Sequence, residues 1–315
     1  LDGTVVVRFS GTGRWQWGLS ITEYVAGSTF TPVDIALAPD GRVAVLGRLH
    51  GAMDFGGIIA GGCGGSDDGA GPTLVMYGAD GVAQWVHVAS DGTGCSGGHE
   101  PAPRRVSFDS AGALVYAGQH RFSMSMGGCS VGGSPYYQPH VFEFAADGTC
   151  TFAQQWPVQG GIEHASLHDV AVTDGSLVLT GSLPGFDTWL DFGGGALTGS
   201  GQYLVHLDRL GGHRFSAILP MPMRVAAASD GRVFMAARFT GTIDLGDGPL
   251  TSVDAGDALV AEYSATGTLL DDHILHGAAG DQDVYRIDAD SSNTPRIIGQ
   301  ADDDPASYFL APYKP

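Results

Sequence analysis

Basic residues are scarce in this 315-residue chain, and lysine is nearly absent. Fifteen Lys and Arg residues stand against 34 Asp and Glu, which gives a formal net charge of −19, and Lys314 is the single lysine. Such an excess of negative charge repels a phosphate backbone and an anionic lipid surface. We therefore expect no nucleic acid among the partners of this protein, whereas cations and neutral polymers are compatible with its charge.

Long apolar runs are missing as well. No stretch of 18 consecutive apolar residues occurs, so no transmembrane segment is predicted. The first residues lack a basic segment followed by an apolar one, and we expect no signal peptide within the chain. Apolar residues nevertheless make up 43% of the sequence, which is enough for a packed core.

Glycine is abundant, with 50 residues, and it recurs within a repeated phrase. An apolar–polar alternation, a turn with a glycine and a second short strand appear five times, for example as "TLVMYGADGVAQW" and "YLVHLDRLGGHRF". Apolar residues at every second position on both sides of such a turn predict a β-hairpin. The turn glycines are Gly13, Gly81, Gly148, Gly211 and Gly267.

A second type of hairpin alternates with the first, for example "DVAVTDGSLVLTGSL". Its turn positions are Gly41, Gly112, Gly175, Gly231 and Asn293. Glycines six residues beyond most of these turns, at positions 47, 118, 181 and 299, predict a bulge or a close approach in the second strand. One repeat therefore comprises four antiparallel strands, with a glycine-rich connector between the second strand and the third.

Four-stranded antiparallel units in tandem predict an all-β fold, a β-propeller of four-stranded blades. We predict a single domain over residues 1–315, with blades at about 33–90, 104–158, 167–220, 223–276 and 284–315, the last completed by residues 1–20. The strand count exceeds by one what five such blades need, so five blades are favoured and six are the alternative. The spare strand would leave a free sheet edge, through which two molecules can associate.

The glycine-rich connectors carry a resemblance to a known family. The segment "GFDTWLDFGGGALTGSG" at 185–201 and its echo "GTIDLGDGPLTSVDAGD" at 241–257, each followed by the hairpin phrase, resemble the bacterial β-propeller repeats of the SBBP type. This resemblance implies a secreted or surface-attached bacterial scaffold and assigns no catalytic residue. Two connectors, "RFSMSMGGCSVGGSPYYQ" and "ADDDPASYF", depart from the pattern.

The four cysteines, Cys63, Cys95, Cys129 and Cys150, all lie in predicted loops or turns. Loop cysteines are typical of an oxidising compartment, so we expect disulfide bonds and an extracellular, periplasmic or cell-surface location. The cost of loop closure favours the pairs Cys63–Cys95 and Cys129–Cys150, with Cys95–Cys129 as the rival. Because Cys129 and Cys150 are predicted at opposite ends of a blade, their bond requires the connector to fold back.

Two groups of polar residues are candidate metal ligands. His164 and His168 are four residues apart, which directs both imidazoles at one metal on a helix, but no helix is predicted there and solvated loop residues are the simpler interpretation. Asp288 and Asp290, with "DQD" at 281–283 and "ADDDP" at 301–305 nearby, offer oxygen ligands for calcium. Both aspartates fall on a turn where acids in other repeats only form the turn, so no cofactor is expected, and calcium is the one considered.

No catalytic constellation emerges from the predicted strands, whose first members carry few acids, Asp34 and Asp169 among them. One aromatic residue per repeat favours packing between blades over sugar stacking. The sequence therefore favours a non-catalytic, exported β-propeller that binds a protein or glycan at a cell surface. A lectin-like propeller is the alternative, and a propeller glycoside hydrolase or lyase is less favoured. The fold alone does not choose among them.

Overall fold

The computed structural model describes residues 3–62, 70–90, 102–160, 164–253, 256–275, 282–290, 292–301 and 308–312. These ranges contain β-strands, turns and irregular segments and no helix, so no helix capable of crossing a membrane is found in them. The chain divides into two compact units, Leu1–Pro157 and Val158–Pro315. The all-β class and the four-stranded antiparallel sheets predicted above are confirmed.

The first unit contains three four-stranded sheets and one small hairpin. Its strands are β1 (Thr4–Phe9), β2 (Trp15–Glu23), β3 (Thr29–Leu37), β4 (Val43–His50), β5 (Ala52–Asp54), β6 (Ile59–Gly61), β7 (Gly71–Tyr77), β8 (Ala83–Val88), β9 (Ala102–Phe108), β10 (Leu114–His120), β11 (Met124–Met126), β12 (Cys129–Val131), β13 (Gln138–Phe144) and β14 (Cys150–Gln155). Sheet 1 has the order β1-β2-β5-β6, sheet 2 the order β3-β4-β7-β8 and sheet 3 the order β9-β10-β13-β14. Strands β11 and β12 pair only with each other among the named strands.

The second unit contains two four-stranded sheets, one three-stranded sheet and a small hairpin. Its strands are β15 (Ser166–Thr173), β16 (Ser176–Asp191), β17 (Ala196–Leu207), β18 (His213–Leu219), β19 (Met223–Ala227), β20 (Val233–Phe239), β21 (Thr242–Asp244), β22 (Pro249–Thr251), β23 (Asp257–Tyr263), β24 (Leu269–Leu275), β25 (Gln282–Ala289), β26 (Pro295–Ala301) and β27 (Tyr308–Pro312). Sheet 4 has the order β15-β16-β17-β18, sheet 5 the order β19-β20-β23-β24 and sheet 6 the order β25-β26-β27, while β21 and β22 form the hairpin.

Glycines at positive φ close most of the predicted turns between the first and second strands. Gly41, Gly112 and Gly231 have φ values of 89°, 81° and 88°, a region that only residues without a Cβ enter freely. Asn293, which replaces glycine in sheet 6, has φ 59°, as asparagine tolerates this region better than most residues. The turn chemistry read from the sequence agrees with the backbone at these four turns, whereas Gly175, in the turn between β15 and β16, does not adopt the left-handed conformation.

The glycine six residues beyond the turn lies at a bulge, as predicted. Gly118 is at the point where the pairing of β9 with β10 shifts by one residue, and Gly47, Gly181 and Gly299 occupy the same place in sheets 2, 4 and 6. A Cβ on Gly181 would lie 1.9 Å from the carbonyl oxygen of Ser166. The first strand approaches so closely at these bulges that no side chain fits.

The glycine-rich connectors fold as small β-hairpins whose turn is held by an aspartate. In sheet 4 the Oδ1 atom of Asp191 accepts hydrogen bonds from the backbone N–H groups of Gly193 at 2.7 Å and Gly195 at 3.1 Å. Asp54 and Asp244 hold the equivalent turns of the β5–β6 and β21–β22 hairpins. The recurring Asp-Phe-Gly or Asp-Leu-Gly phrase is thus a turn motif in which the Oδ1 atom of the aspartate accepts the backbone N–H groups of the turn.

Neighbouring sheets within a unit are joined through an aromatic residue of the strand that follows the Gly turn, which is β2 in sheet 1 and the fourth strand in sheets 2 and 4. The indole N–H of Trp17 donates to the carbonyl of Ala79, and that of Trp85 donates to the carbonyl of Ala146 in the turn of the next sheet. Phe215 of sheet 4 packs against the ring of Tyr263, which precedes the corresponding turn of sheet 5. These aromatic residues lie at the contacts between neighbouring sheets, where Trp85 and Phe215 are buried and Trp17 is half-buried.

The sheets follow the predicted repeats closely. Sheets 2 to 5 cover residues 29–88, 102–155, 166–219 and 223–275, against predicted blades at about 33–90, 104–158, 167–220 and 223–276. The single domain, the ring of blades, their number and the completion of the last blade by residues 1–20 stay predictions.

Candidate functional site

A disulfide bond joins Cys129 in β12 to Cys150 in β14. The connector of sheet 3, residues 121–137, folds back along the sheet to allow this bond, and the backbone N–H of Cys150 donates to the carbonyl of Gly127 at 3.1 Å. The bond excludes the rival pair of Cys129 with Cys95. Cys63 and Cys95 themselves lie outside the described residues.

The two candidate histidines do not adopt the helical arrangement that their spacing would need. His168 lies in β15 at its bulge, where the pairing shifts between Leu167 and Asp169, and His164 precedes the strand. In an extended chain, residues four apart are separated by about 13 Å. The described part of the chain also contains no group of three or more His, Cys, Asp or Glu residues arranged to hold a metal.

The two candidate calcium ligands are engaged by arginines. Asp288 forms an ion pair with Arg286 at 2.8 Å, and Asp290 forms one with Arg296 at 3.0 Å. Asp290 also accepts hydrogen bonds from the side chain and the backbone of Ser292, and these bonds lower the pKa of its carboxyl group. The geometry is that of a turn, as in the other repeats. Residues 281 and 302–305 of the neighbouring acidic segments lie outside the described residues, and the calcium site stays a prediction.

The acids of the first strands have a structural role. The Oδ2 atom of Asp34 accepts a hydrogen bond from the backbone N–H of Val106 at 2.9 Å, and that of Asp169 accepts one from Val225 at 3.2 Å. In each case the carboxylate links the first strand of one sheet to the first strand of the next within the same unit.

A polar cluster in sheet 3 is the strongest departure from the repeat. It consists of Tyr116 and His120 on β10, Gln138 and His140 on β13, and Gln155 at the end of β14. The first four side chains are fully buried, and they lie on two central strands whose other residues are apolar except for Gln119 and Glu143. We call this group the sheet 3 cluster.

The other sheets show what the repeat places at these positions. His120 lies two residues beyond Gly118 on β10, and the corresponding residues of sheets 2, 4 and 5 are Leu49, Leu183 and Phe239. His140 pairs with Gly118 across the sheet, and the corresponding residues are Thr73, Tyr203 and Leu259. None of the corresponding residues in sheets 2, 4 and 5 is a histidine. The fold therefore does not require imidazoles there.

The hydrogen bonds of the two histidines assign their protons. The Nε2 atom of His120 lies 2.9 Å from the carbonyl oxygen of Gly132, so Nε2 carries the proton and donates it. The Nδ1 atom of His120 is then an acceptor in the neutral ring, and it lies 2.9 Å from the Nδ1 atom of His140, which must donate. It follows that the Nε2 atom of His140 holds a bare lone pair, and this buried atom has no hydrogen-bond partner.

Three further polar atoms of the cluster are buried without a hydrogen-bond partner. They are the hydroxyl of Tyr116 and the Oε1 atoms of Gln138 and Gln155. Burial raises the pKa of Tyr116 and lowers that of both histidines, most strongly that of His140, which also faces the ring of His120. Both imidazoles are therefore neutral at pH 7. A concentration of unpaired buried polar atoms in one place calls for a ligand, an ion or water as explanation.

The surroundings of the cluster are fitted to it. A Cβ on Gly118 would lie 2.9 Å from the Tyr116 hydroxyl and 3.1 Å from Cε1 of His140, and one on Gly132 would lie 3.2 Å from Nε2 of Gln155. Gly132 belongs to the connector that the disulfide holds against β14. The disulfide-bonded connector thus covers the cluster and supplies the carbonyl that sets the protonation of His120.

Sequence reasoning did not single out the residues of this cluster. His120 and His140 lie in the strand phrases "LVYAGQH" and "QPHVFEF", which look like ordinary strand ends when read singly. Aligning the repeats strand by strand would have shown two histidines where the other sheets carry mostly apolar residues. That internal comparison was the available signal.

No protein-family profile and no curated protein matches the sequence, and the SBBP-type resemblance accordingly stays a prediction. Among solved structures, similarity extends to a variant of the Synechocystis apocarotenoid oxygenase, with 12% identity, a TM-score of 0.40 and coverage of 90% of this chain and 60% of that one. A glucose dehydrogenase matches with 10% identity, a TM-score of 0.43 and coverage of 90% and 82%. A variant of the B. subtilis levansucrase matches with 9% identity, a TM-score of 0.39 and coverage of 92% and 85%.

These likenesses concern the arrangement of strands, and the chain spans only 60% of the length of the oxygenase. All three proteins are enzymes by name, and the expectation of a non-catalytic module is corrected on that point, although likenesses of 9–12% identity with TM-scores below 0.5 assign no activity to this chain. The sequence-based expectation took the lack of a sequence motif as a lack of chemistry, and function is set by the site and not by the fold or by a motif alone.

Proposed function

We propose that this chain is a β-propeller enzyme of an oxidising compartment and that the buried histidine pair of the sheet 3 cluster belongs to its reaction centre. The propeller is supported by the tandem sheets of each unit, with first strands linked by Asp34 and Asp169. The location in an oxidising compartment is supported by the Cys129–Cys150 disulfide bond. The reaction centre is supported by one observation above all, the two histidines placed where the repeat otherwise carries no imidazole.

Burying these imidazoles destabilises the fold, so their presence asks for a chemical reason. An unpaired polar group inside a protein costs about 1–3 kcal/mol, and the lone pair of His140 is such a group. A neutral imidazole accepts a proton or binds a metal ion, which are the two commonest catalytic uses of histidine. The net charge of −19 favours a neutral or cationic substrate over an anionic one.

The test uses a variant designed from the protein's own repeat. His120→Leu with His140→Thr installs the residues that sheet 2 carries at the same positions, Leu49 and Thr73, and removes both imidazoles from a fold that accommodates their replacements. The matched control is His206→Asn, which removes a buried histidine of sheet 4 that bonds Ser176.

Each protein is assayed against neutral glycosides, lactones and esters, and alcohols, with readouts for hydrolysis, elimination and oxidation. We expect the wild type and the control to turn over members of one class, and the double variant to lose at least about 100-fold in rate. Turnover by the double variant at the wild-type rate contradicts the proposal, and so does a wild type that turns over no class.

The predicted self-association is supported by the edge of sheet 1. Strand β1 pairs only with β2 among the described strands, and Val5, Val7 and Phe9 on it are 60%, 46% and 54% exposed. An apolar face beside an unpaired edge is a site of strand addition. Light scattering over a range of concentrations tests this, with a Val7→Lys variant expected to remain monomeric. The predicted cell-surface protein or glycan partner stays a prediction.

A further inference from the structure

We propose that the Cys129–Cys150 disulfide is a redox switch for the sheet 3 cluster: its formation closes the connector over the two histidines, and its reduction loosens that cover. The inference concerns how the cluster is enclosed and goes beyond the proposed function, since it holds whether or not the histidines catalyse a reaction. Its basis is that the segment anchored by the disulfide also supplies the carbonyl of Gly132 to the cluster.

The connector of sheet 3 lacks the aspartate that closes the turn in the other described connector hairpins. Asp54 and Asp244 stand at the ends of β5 and β21 and accept the backbone N–H groups of their turns. The residue at the end of β11 is Met126, which offers no such acceptor. The bond from Cys129, just after this turn, to Cys150 on β14 is therefore the contact that anchors the hairpin to its sheet.

The anchored segment reaches the cluster through one carbonyl group. The carbonyl oxygen of Gly132 lies 2.9 Å from Nε2 of His120 and 3.3 Å from Nε2 of Gln138. Gly132 is three residues beyond Cys129, and three residues of extended chain span at most about 10 Å. The disulfide therefore confines this carbonyl to the neighbourhood of the two side chains that it accepts from.

The remaining contacts of the connector keep it in place without locking it. Met124, Met126 and Val131 are buried in the apolar core that sheets 2 and 3 share. Two backbone hydrogen bonds, of 2.7 and 2.9 Å, join Ser125 to Ser90 at the end of sheet 2. We therefore expect the reduced connector to stay mostly closed but to open more often. A disulfide with a sequence separation of 21 residues shifts such an equilibrium by roughly 100-fold.

The chemistry of the switch is thiol–disulfide exchange. A small disulfide takes two electrons and two protons from the thiols of Cys129 and Cys150 and leaves as two small thiols, and a dithiol reverses the reaction. A chain kept in a reducing compartment thus has the loosened connector. Transfer to an oxidising compartment closes it.

The experiment measures how fast diethyl pyrocarbonate modifies the two cluster histidines. This reagent attacks an unprotonated imidazole nitrogen, and Nε2 of His140 presents such a lone pair. Mass spectrometry of the peptides gives a rate for each histidine, in wild-type protein treated with oxidised glutathione or with dithiothreitol. His206 is the internal reference because it is buried in the second unit, which contains no cysteine.

Two cysteine variants separate this bond from the other cysteines. Cys129→Ser/Cys150→Ser lacks the switch, and the matched control Cys63→Ser/Cys95→Ser retains it. Each rate is also measured in urea up to about 1 M. Local opening of the connector gives a rate that does not depend on urea, whereas global unfolding gives a rate that rises steeply with it.

We expect the cluster histidines to react at least about tenfold faster in the reduced than in the oxidised wild type, without dependence on urea. The control should behave like the wild type, Cys129→Ser/Cys150→Ser should react at the fast rate under both conditions, and His206 should not change. Equal rates in the oxidised and reduced wild type, or a fast rate that rises with urea, overturns the inference. A disulfide-dependent rate without turnover of any substrate class would refute the proposed function alone, and turnover with equal rates would refute this inference alone.

Discussion

Replacing His120 by leucine and His140 by threonine is expected to stabilise the first unit while it abolishes the proposed site. The variant removes the buried lone pair on Nε2 of His140, which has no hydrogen-bond partner, and such a group costs about 1–3 kcal/mol. Leucine and threonine are the residues of sheet 2 at the same positions, so the repeat already accommodates side chains of this size there. We expect a gain of about 1–3 kcal/mol at pH 7.5.

The gain should widen as the pH falls, and the sign follows from the lowered pKa values of both histidines. A histidine whose pKa is lower in the folded protein than its value of about 6.5 in the unfolded chain contributes its full stability above pH 6.5 and loses it as the pH decreases. For a histidine that stays neutral in the folded protein, its protonation in the unfolded chain lowers the free energy of unfolding by about 1.4 kcal/mol at pH 5.5. The double variant lacks this loss, so its advantage grows between pH 7.5 and 5.5.

Urea unfolding followed by tryptophan fluorescence measures this advantage, because four of the five tryptophans lie in the first unit. The two proteins differ only at positions 120 and 140, so only the difference between the two curves is interpreted. A double variant that is less stable than the wild type at pH 7.5, with a difference that does not change down to pH 5.5, would refute the argument that the imidazoles are costly to the fold.

Three further outcomes are expected from the same kind of measurement. Asp191→Ala should destabilise the second unit by about 1–2 kcal/mol because two backbone N–H groups lose their acceptor. Asp191→Asn retains an acceptor oxygen, so its loss of stability should be smaller. Equal losses of stability in the two variants would contradict the role of Asp191 in the turn. Cys129→Ser with Cys150→Ser should cost about 3 kcal/mol for a bond that spans 21 residues, and an unchanged urea midpoint would contradict it. Trp85→Ala should lower the free energy of unfolding by about 3–5 kcal/mol. Trp85→Phe keeps the packing against Phe144 and loses only the indole hydrogen bond, so it should lower the free energy of unfolding by about 1 kcal/mol. A Phe variant as unstable as the Ala variant would show that the hydrogen bond dominates.

Local features of the fold were predictable because they depend on neighbouring residues. Asp-Gly turns, the alternation of apolar residues and the bulge glycines predicted repeats whose ranges lie close to those of sheets 2 to 5. The role of the Asp-Gly-rich connectors was only partly foreseen. Their sharp turns follow from composition, but the hydrogen bonds from Gly193 and Gly195 to Asp191 depend on the path of the backbone.

The candidate site was not predictable in this way. His164 and His168 stood out by their spacing, yet no helix forms there to direct both at one metal, whereas His120 and His140 are 20 residues apart and meet because β10 pairs with β13 in one register. A shift of that register by one residue would turn one imidazole to the opposite face of the sheet. No pattern within a short window of sequence contains that information.

The amino-acid sequence by itself determined the all-β class, the tandem four-stranded units, the turn positions and a chemistry suited to an oxidising compartment, because each depends on residues close together in the chain. Only the tertiary structure decided which polar side chains meet. It folded the connector back so that Cys129 reaches Cys150, engaged Asp34 and Asp169 with neighbouring strands, and enclosed two imidazoles where water cannot compensate their polarity. Contacts of this kind are set by strand register and by the packing of sheet on sheet, which are properties of the whole fold.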